Sequence, residues 1–160
     1  ALSGVFDIGM RTGNADSREH TFQASLIGMD VASEGPFIKG RKATYLFNYR
    51  YSTLGLLSPI LPEEMGILTY QDLSFKLSFP FRNGILSLWG LGAYDHQGRE
   101  AETDPARWSG PDDREGFSTR MSMGATGLSW KRQMGRNTSL KTTLAATEKG
   151  MDWLQERIGS

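Results

Sequence analysis

The sequence lacks cysteine, has no net charge and contains no long apolar run, and each absence excludes a class of protein. Without cysteine there is no disulfide framework, no thiolate metal site and no cysteine nucleophile. Basic and acidic residues both number 18, so total charge gives no reason to expect nucleic acid or an anionic membrane surface as partner. The longest uncharged stretches, residues 51–62 and 83–94, are shorter than the roughly 18 residues of a transmembrane helix.

Glycine, in contrast, is abundant, at 19 of 160 residues. The glycines occur inside apolar segments as well as at the boundaries between segments. Many short strands separated by turns produce this distribution, and a helical domain does not.

Alternation of apolar and polar residues is the dominant pattern, and it is clearest over residues 73–81. The large apolar residues at its odd positions are Leu73, Phe75, Leu77, Phe79 and Phe81. Because successive side chains of a strand point to opposite faces, this strand has one apolar and one polar face. A second strand, residues 85–94, follows Arg82-Asn83-Gly84, where Asn-Gly predicts a tight hairpin with the positive φ angles of a type I′ turn.

The same alternation predicts further strands on both sides of this hairpin. The predicted segments are residues 21–26, 31–34, 43–51, 121–127 and 140–145. For the first two we favour a strand pair with its tip at Gly28 over one long bent strand. The predicted fold class is therefore all-β, an antiparallel up-and-down meander of about seven strands.

The connections between the predicted strands alternate in length. Short turns are predicted near residues 38–42, 82–84 and 135–138. Long connections are predicted near residues 57–67 and 97–116, and from Gly150 onward. Membrane β-barrels are built in this way, with tight periplasmic turns and extended external loops.

The C-terminal residues 148–158 leave two interpretations open. Their apolar residues Met151, Trp153, Leu154 and Ile158 have roughly the spacing of an amphipathic helix. The segment is then either the start of an external loop or a short terminal helix packed on a sheet.

Several motifs, in order along residues 1–94, resemble those of TonB-dependent outer-membrane receptors. Residues 1–8, Ala-Leu-Ser-Gly-Val-Phe-Asp-Ile, resemble the strand that leaves the plug domain for the barrel. The later motifs are Thr12-Gly13-Asn14, Glu34-Gly35-Pro36, Asn48-Tyr49-Arg50-Tyr51-Ser52, and Tyr70-Gln71-Asp72-Leu73 with Lys76-Leu77. In that family Glu-Gly-Pro closes an early barrel strand before its periplasmic turn. The chain departs from the family pattern at Phe6-Asp7-Ile8 and Gly9-Met10-Arg11, which leaves the subfamily open.

The resemblance implies part of a closed barrel of about 22 strands with a plugged lumen, in the bacterial outer membrane. Residues 1–16 would be the plug exit strand and linker, and residues 17–160 the N-terminal portion of the barrel. Such receptors import a scarce nutrient, and a siderophore, corrinoid, glycan or peptide all remain open. Because the chain starts at Ala1 with no initiator methionine or signal peptide, we expect a fragment.

The resemblance also implies the partners. They are outer-membrane lipid, the remainder of the barrel and plug, an inner-membrane energy-coupling protein reached through the missing plug, and a surface lipoprotein as a further candidate. No nucleic acid and no cofactor is implied. Leu73, Phe75, Leu77, Phe79 and Phe81 are the predicted lipid-facing residues, although alternation alone also fits the core face of a soluble sheet.

The acidic segment 97–116 is the remaining candidate site. Its carboxylates could bind calcium, but their spacing fits no EF-hand loop and arginines lie among them. A solvated external loop is therefore favoured. If the loop faces outside, Trp108 is a candidate ligand contact. No metal or catalytic site is predicted, because Asp95-His96 has no nucleophile elbow beside it and no phosphate-binding glycine loop is present. Nothing in the sequence supports an enzyme.

Two other interpretations remain open and rank below the transporter fragment. A complete small soluble barrel of lipocalin-like size would bind an apolar ligand, but its last strand must pair with its first, and residues 149–160 do not resemble a strand. A β-sandwich interaction module predicts polar outward faces on all strands, which residues 85–94 contradict.

Overall fold

The computed structural model describes residues 9–55, 67–108 and 110–158. They contain one antiparallel sheet in which each strand pairs with its neighbours in sequence, in the order β1-β2-β3-β4-β5-β6-β7. The strands are β1 Glu19–Ala24, β2 Gly28–Pro36, β3 Thr44–Ser52, β4 Ile67–Phe81, β5 Gly84–Arg99, β6 Glu115–Gln133 and β7 Ser139–Arg157. The predicted all-β meander of about seven strands is confirmed, and within the described residues β1 and β7 form unpaired edges of the sheet.

The connections alternate in position between the two ends of the sheet. Residues 37–43, 82–83 and 134–138 are the short turns at one end, close to their predicted positions. At the other end, residues 25–27 form a tight tip just before Gly28, and residues 100–114 form a long loop with 3-10 helices at Pro105–Arg107 and Pro111–Arg114. The predicted long connection at 57–67 lies outside the described residues except for Ile67.

The β4–β5 hairpin is tight, as predicted, but its turn is not of the predicted type I′. The turn residues are Arg82 and Asn83, and Gly84 already belongs to β5. Within the described residues positive φ angles occur only at Gly35 and Gly40. Gly84 is instead a position of close approach, because an added Cβ would collide with the backbone oxygen of Lys131 on β6.

The C-terminal segment is a strand, so both interpretations of residues 148–158 are wrong. No loop begins at Gly150, and β7 pairs with β6 along its length, from Ser139 opposite Gln133 to Arg157 opposite Glu115. Residues 149–157 therefore belong to a strand, contrary to the prediction. Pairing with a 19-residue neighbour outweighs the weak helical spacing, since tertiary context overrides local propensity.

The register gives the sheet an apolar face and a polar face. One face carries the odd-numbered residues of β2, β3 and β4 and the even-numbered residues of β1, β5, β6 and β7, and we call it the apolar face; the alternate residues form the polar face. Toward the long-loop end of β6 and β7 the apolar face carries charged residues instead, among them Arg120, Glu148 and Asp152. All five predicted lipid-facing residues lie together on the apolar face. Their exposure to lipid stays a prediction.

Burial is inverted relative to a soluble sheet. Within the described residues no hydrophobic side chain is buried, whereas Thr44, Ser52, Ser78 and Ser87 are buried and all four lie on the polar face. Large apolar side chains are exposed instead, from Phe22 at one edge (68%) to Leu144 at the other (77%). The apolar face therefore needs a covering that these residues do not supply.

Candidate functional site: the polar face and the segment docked on it

Residues 9–18 cross the polar face before β1 begins. The guanidinium of Arg11 donates two hydrogen bonds to the carboxylate of Glu34 on β2, in the bidentate geometry that favours carboxylates. This carboxylate raises the pKa of Arg11, because the hydrogen bonds stabilise the charged form. On β4, Lys76 Nζ donates to the backbone oxygen of Met10 at 2.6 Å. A hollow of about 300 Å³ remains between the segment and the strands.

The Thr12-Gly13-Asn14 motif brings this segment onto the sheet and turns it into β1. Gly13 is buried, and an added Cβ would collide with the backbone oxygen of Tyr45 and lie 2.9 Å from its carbonyl carbon. Asn14 donates its backbone N–H to Glu34 at 2.8 Å, and its side-chain oxygen accepts from the N–H of Asp16 at 2.8 Å. The asparagine thus closes a side-chain-supported turn.

The Glu34-Gly35-Pro36 motif is the docking point for the other end of the segment. Arg18 donates from Nε to the backbone oxygen of Pro36 at 3.2 Å and from Nη2 to that of Phe37 at 2.8 Å. Gly35 has a φ of +153°, and a Cβ there would lie 2.7 Å from Arg18 Cγ and 2.8 Å from Arg18 Cα. Glycine is required for both reasons. Sequence reasoning identified the motif but not Arg18, because its acceptors lie 18 and 19 residues further along the chain and leave no local pattern.

A row of alternating charges crosses three strands on the same face. Asp30, Arg50 and Asp72 lie side by side in register on β2, β3 and β4. Arg50 Nε is 3.6 Å from Asp30 Oδ2 and 4.0 Å from Asp72 Oδ2, and Asn48 donates to Asp30 Oδ1 at 3.0 Å. Ionised side chains on a half-covered face suit a water-filled or plugged interior rather than a hydrocarbon environment.

Toward the long-loop end of β6 and β7 the polar face changes character. Met121, Met123, Met151 and Trp153 lie on it with exposed fractions of 40–62%. This cluster was missed because the apolar residues of β6 occur at both parities, so that alternation alone does not assign them to a face. The flexible methionine side chains and the indole of Trp153 together form an apolar surface on which a ligand could pack.

The apolar face contains a close cross-strand pair at its centre. Phe75 on β4 lies opposite Gly90 on β5, and a Cβ added to Gly90 would be 2.5 Å from Phe75 Cε1. The ring covers the glycine, a pairing that fills the gap left by the missing side chain.

The loop at residues 100–114 is stabilised by a hydrogen bond, a cation–π contact and ion pairs among its own residues. Trp108 Nε1 donates to the backbone oxygen of Glu102 at 2.8 Å, and the Arg114 guanidinium lies 4.5 Å from the Trp108 ring centroid. Arg107 is within 4.0 Å of the carboxylates of Glu102 and Asp104. The role of Trp108 in ligand contact stays a prediction, and its N–H is engaged within the loop.

Other kinds of site and the comparisons with known proteins give no assignment. In the described part of the chain, no three His, Cys, Asp or Glu residues are grouped so as to hold a metal ion. None of the helical segments there combines the length and hydropathy needed to cross a membrane. The predicted plug exit strand falls on residues 1–8, outside the described residues. No family model, curated protein or solved structure matches the chain.

Proposed function

We propose that the chain is part of a TonB-dependent transporter of the bacterial outer membrane: the end of the plug followed by the first seven barrel strands. The single observation that carries the proposal is the inverted burial, with small hydroxyl side chains covered on the polar face and large apolar ones exposed on the apolar face. In a membrane barrel, lipid covers the outward apolar face and the inward face is polar.

The segment on the polar face supports the same proposal. In such a transporter the chain passes from the plug inside the lumen to the first barrel strand, so the residues before β1 must lie against the inward face. Residues 9–18 do so through Arg11, Arg18 and the backbone of Met10. The two unpaired edge strands would continue the barrel on both sides.

The soluble lipocalin-like barrel is the weaker alternative. It needs β1 to pair with β7, and in the described residues they lie at opposite edges. It also needs its apolar side chains to face a closed interior, whereas here they are the exposed ones.

The experiment is to find the size, location and orientation of the parent polypeptide. Antibodies against residues 100–114 and against residues 134–138 would be applied to fractionated and to intact cells of the source organism. We expect a band several times larger than 17.8 kDa in the outer membrane, with the 100–114 antibody binding intact cells and the 134–138 antibody binding only permeabilised ones. A soluble band near 17.8 kDa would overturn the proposal in favour of the small barrel.

A further inference from the structure

Basic residues gather at the end of the sheet that carries the short turns. We call short-turn end the three segments 37–43, 81–84 and 130–141, which contain no acidic residue. Their basic residues are Lys39, Arg41, Lys42, Arg82, Lys131, Arg132, Arg136 and Lys141. The loop 100–114 at the opposite end is rich in aspartate and glutamate. The short turns and the long loop therefore differ in charge, and the acidic residues near the short-turn end, Glu19 and Glu34, lie on the strands beside it.

These basic side chains are available to a partner. All eight are exposed. None of them takes part in the ion pairs found among the described residues, which involve other arginines. Arg132 lies over the ring of Trp130 at 5.9 Å, which leaves its charge accessible.

Exposed apolar side chains lie among the basic ones at each short turn. Ile38 is 65% exposed next to Lys39, Phe81 is 62% exposed next to Arg82, and Met134 is 62% exposed beside the β6–β7 turn. Long basic side chains over apolar ones suit the boundary between acyl chains and headgroups, where the stem lies in hydrocarbon and the charge reaches the phosphate. A soluble acidic partner would leave the apolar residues without a role.

A shallow, open groove lies between two of the short turns at this end. Its volume is about 850 Å³, and it lies between the β4–β5 turn and the β6–β7 turn. Its lining includes Phe81 and Arg132 from the apolar face, Ile85 and Lys131 from the polar face, and Arg82 and Met134 at the turns, and it includes no carboxylate. The N–H of Gln133 donates to the backbone oxygen of Asn83 at 2.9 Å, which connects the two sides of the groove.

We infer that the short-turn end binds anionic phospholipid, with a phosphate-bearing headgroup seated against Arg82 and Arg132 on the side of the groove that belongs to the apolar face. The inference rests on the membrane location in the proposed function and adds a lipid preference to it. If the short turns are periplasmic, the lipid belongs to the inner leaflet of the outer membrane. The anionic headgroups would then fix the depth and tilt of these strands through charge as well as through the apolar band.

The test compares two triple variants of the full 160-residue chain, refolded from urea in the presence of vesicles and analysed by flotation. One variant is R82Q/R132Q/R136Q, at the groove and the adjoining β6–β7 turn. The matched control is K131Q/K141Q/K149Q, which removes the same charge from three exposed lysines of the polar face. The vesicles contain phosphatidylcholine alone or with about a third phosphatidylglycerol, at low and high salt.

We expect the unmodified chain and the control to prefer the anionic vesicles at low salt and to lose this preference at high salt. Each basic residue near an anionic surface strengthens binding about fivefold, so the groove variant should lose about 100-fold on anionic vesicles and little on neutral ones. Equal losses in both triple variants would overturn the inference, because they would show general charge attraction only.

The remaining outcomes separate the inference from the proposed function. Flotation of the unmodified chain with neutral and anionic vesicles alike would overturn the lipid preference and leave the membrane location supported. Flotation with neither would overturn both. A difference between the variants on soluble polyglutamate but not on vesicles would overturn the lipid assignment in favour of an acidic protein partner.

Discussion

Replacing Gly35 by alanine should release the N-terminal segment from the sheet. The new Cβ would lie 2.8 Å from the Arg18 Cα, a backbone atom that cannot rotate away, and the φ of +153° is one that side chains with a Cβ rarely adopt. Backbone strain of this kind costs about 1–3 kcal/mol. Displacing Arg18 also removes its bonds to Pro36 and Phe37, which contribute about 1 kcal/mol together at an exposed site. The sum is about 2–4 kcal/mol.

Trypsin measures this release directly, because it must bind an arginine side chain to cut after it. Arg11 and Arg18 are both engaged in the docked segment, so cleavage after them reports the released state. For the full chain in detergent micelles we expect cleavage after Arg18 to rise by a factor of about 30 or more in Gly35→Ala. The control is Gly92→Ala, whose Cβ would meet its nearest atom at an ordinary 3.7 Å. Equal cleavage rates in the two variants would refute the docking argument.

Two further substitutions test the two faces separately. On the apolar face, Gly90→Ala pushes the Phe75 ring off its preferred rotamer and should destabilise the sheet by about 1 kcal/mol in urea unfolding. Gly124→Ala, whose Cβ meets its nearest atom at 3.8 Å, should leave the midpoint unchanged, and matching midpoints for the two variants would contradict the pairing. On the polar face, Glu34→Gln removes the carboxylate that binds Arg11. Because Arg11 is largely exposed, the ion pair contributes about 1 kcal/mol, and tryptic cleavage after Arg11 should rise about fivefold. An unchanged cleavage rate would show that Glu34 does not hold the segment.

The sequence predicted the features that depend on the alternation of apolar residues and on turn-forming residues. Alternation over residues 73–81 identified one face of β4, and the positions of the short turns followed from the glycines and asparagines near them. The Glu34-Gly35-Pro36 motif marked the end of β2 before its turn. These are local signals, and a regular antiparallel meander requires few others.

What could not be predicted depends on the neighbouring strand. The part of β7 that follows the predicted strand 140–145 lacks a clear alternation and is fixed by its long pairing with β6. Gly84 looked like a turn glycine, but its role is to let the backbone of Lys131 approach, which only the β5–β6 register reveals. Arg18 likewise has no local signal, since its acceptors lie on the far side of a hairpin.

The basic surface is the clearest case of a property that belongs to topology and not to composition. Lys42, Arg82 and Arg136 lie in three turns that are far apart in sequence. From the sequence alone, each is an ordinary solvated turn residue. In an up-and-down meander every second connection returns to the same end of the sheet, so the three turns become neighbours. The acidic loop 100–114 is a connection of the other parity and is sent to the opposite end. A balanced total charge therefore does not exclude an anionic partner when, as here, the turns at one end of the sheet carry basic residues and no acidic ones.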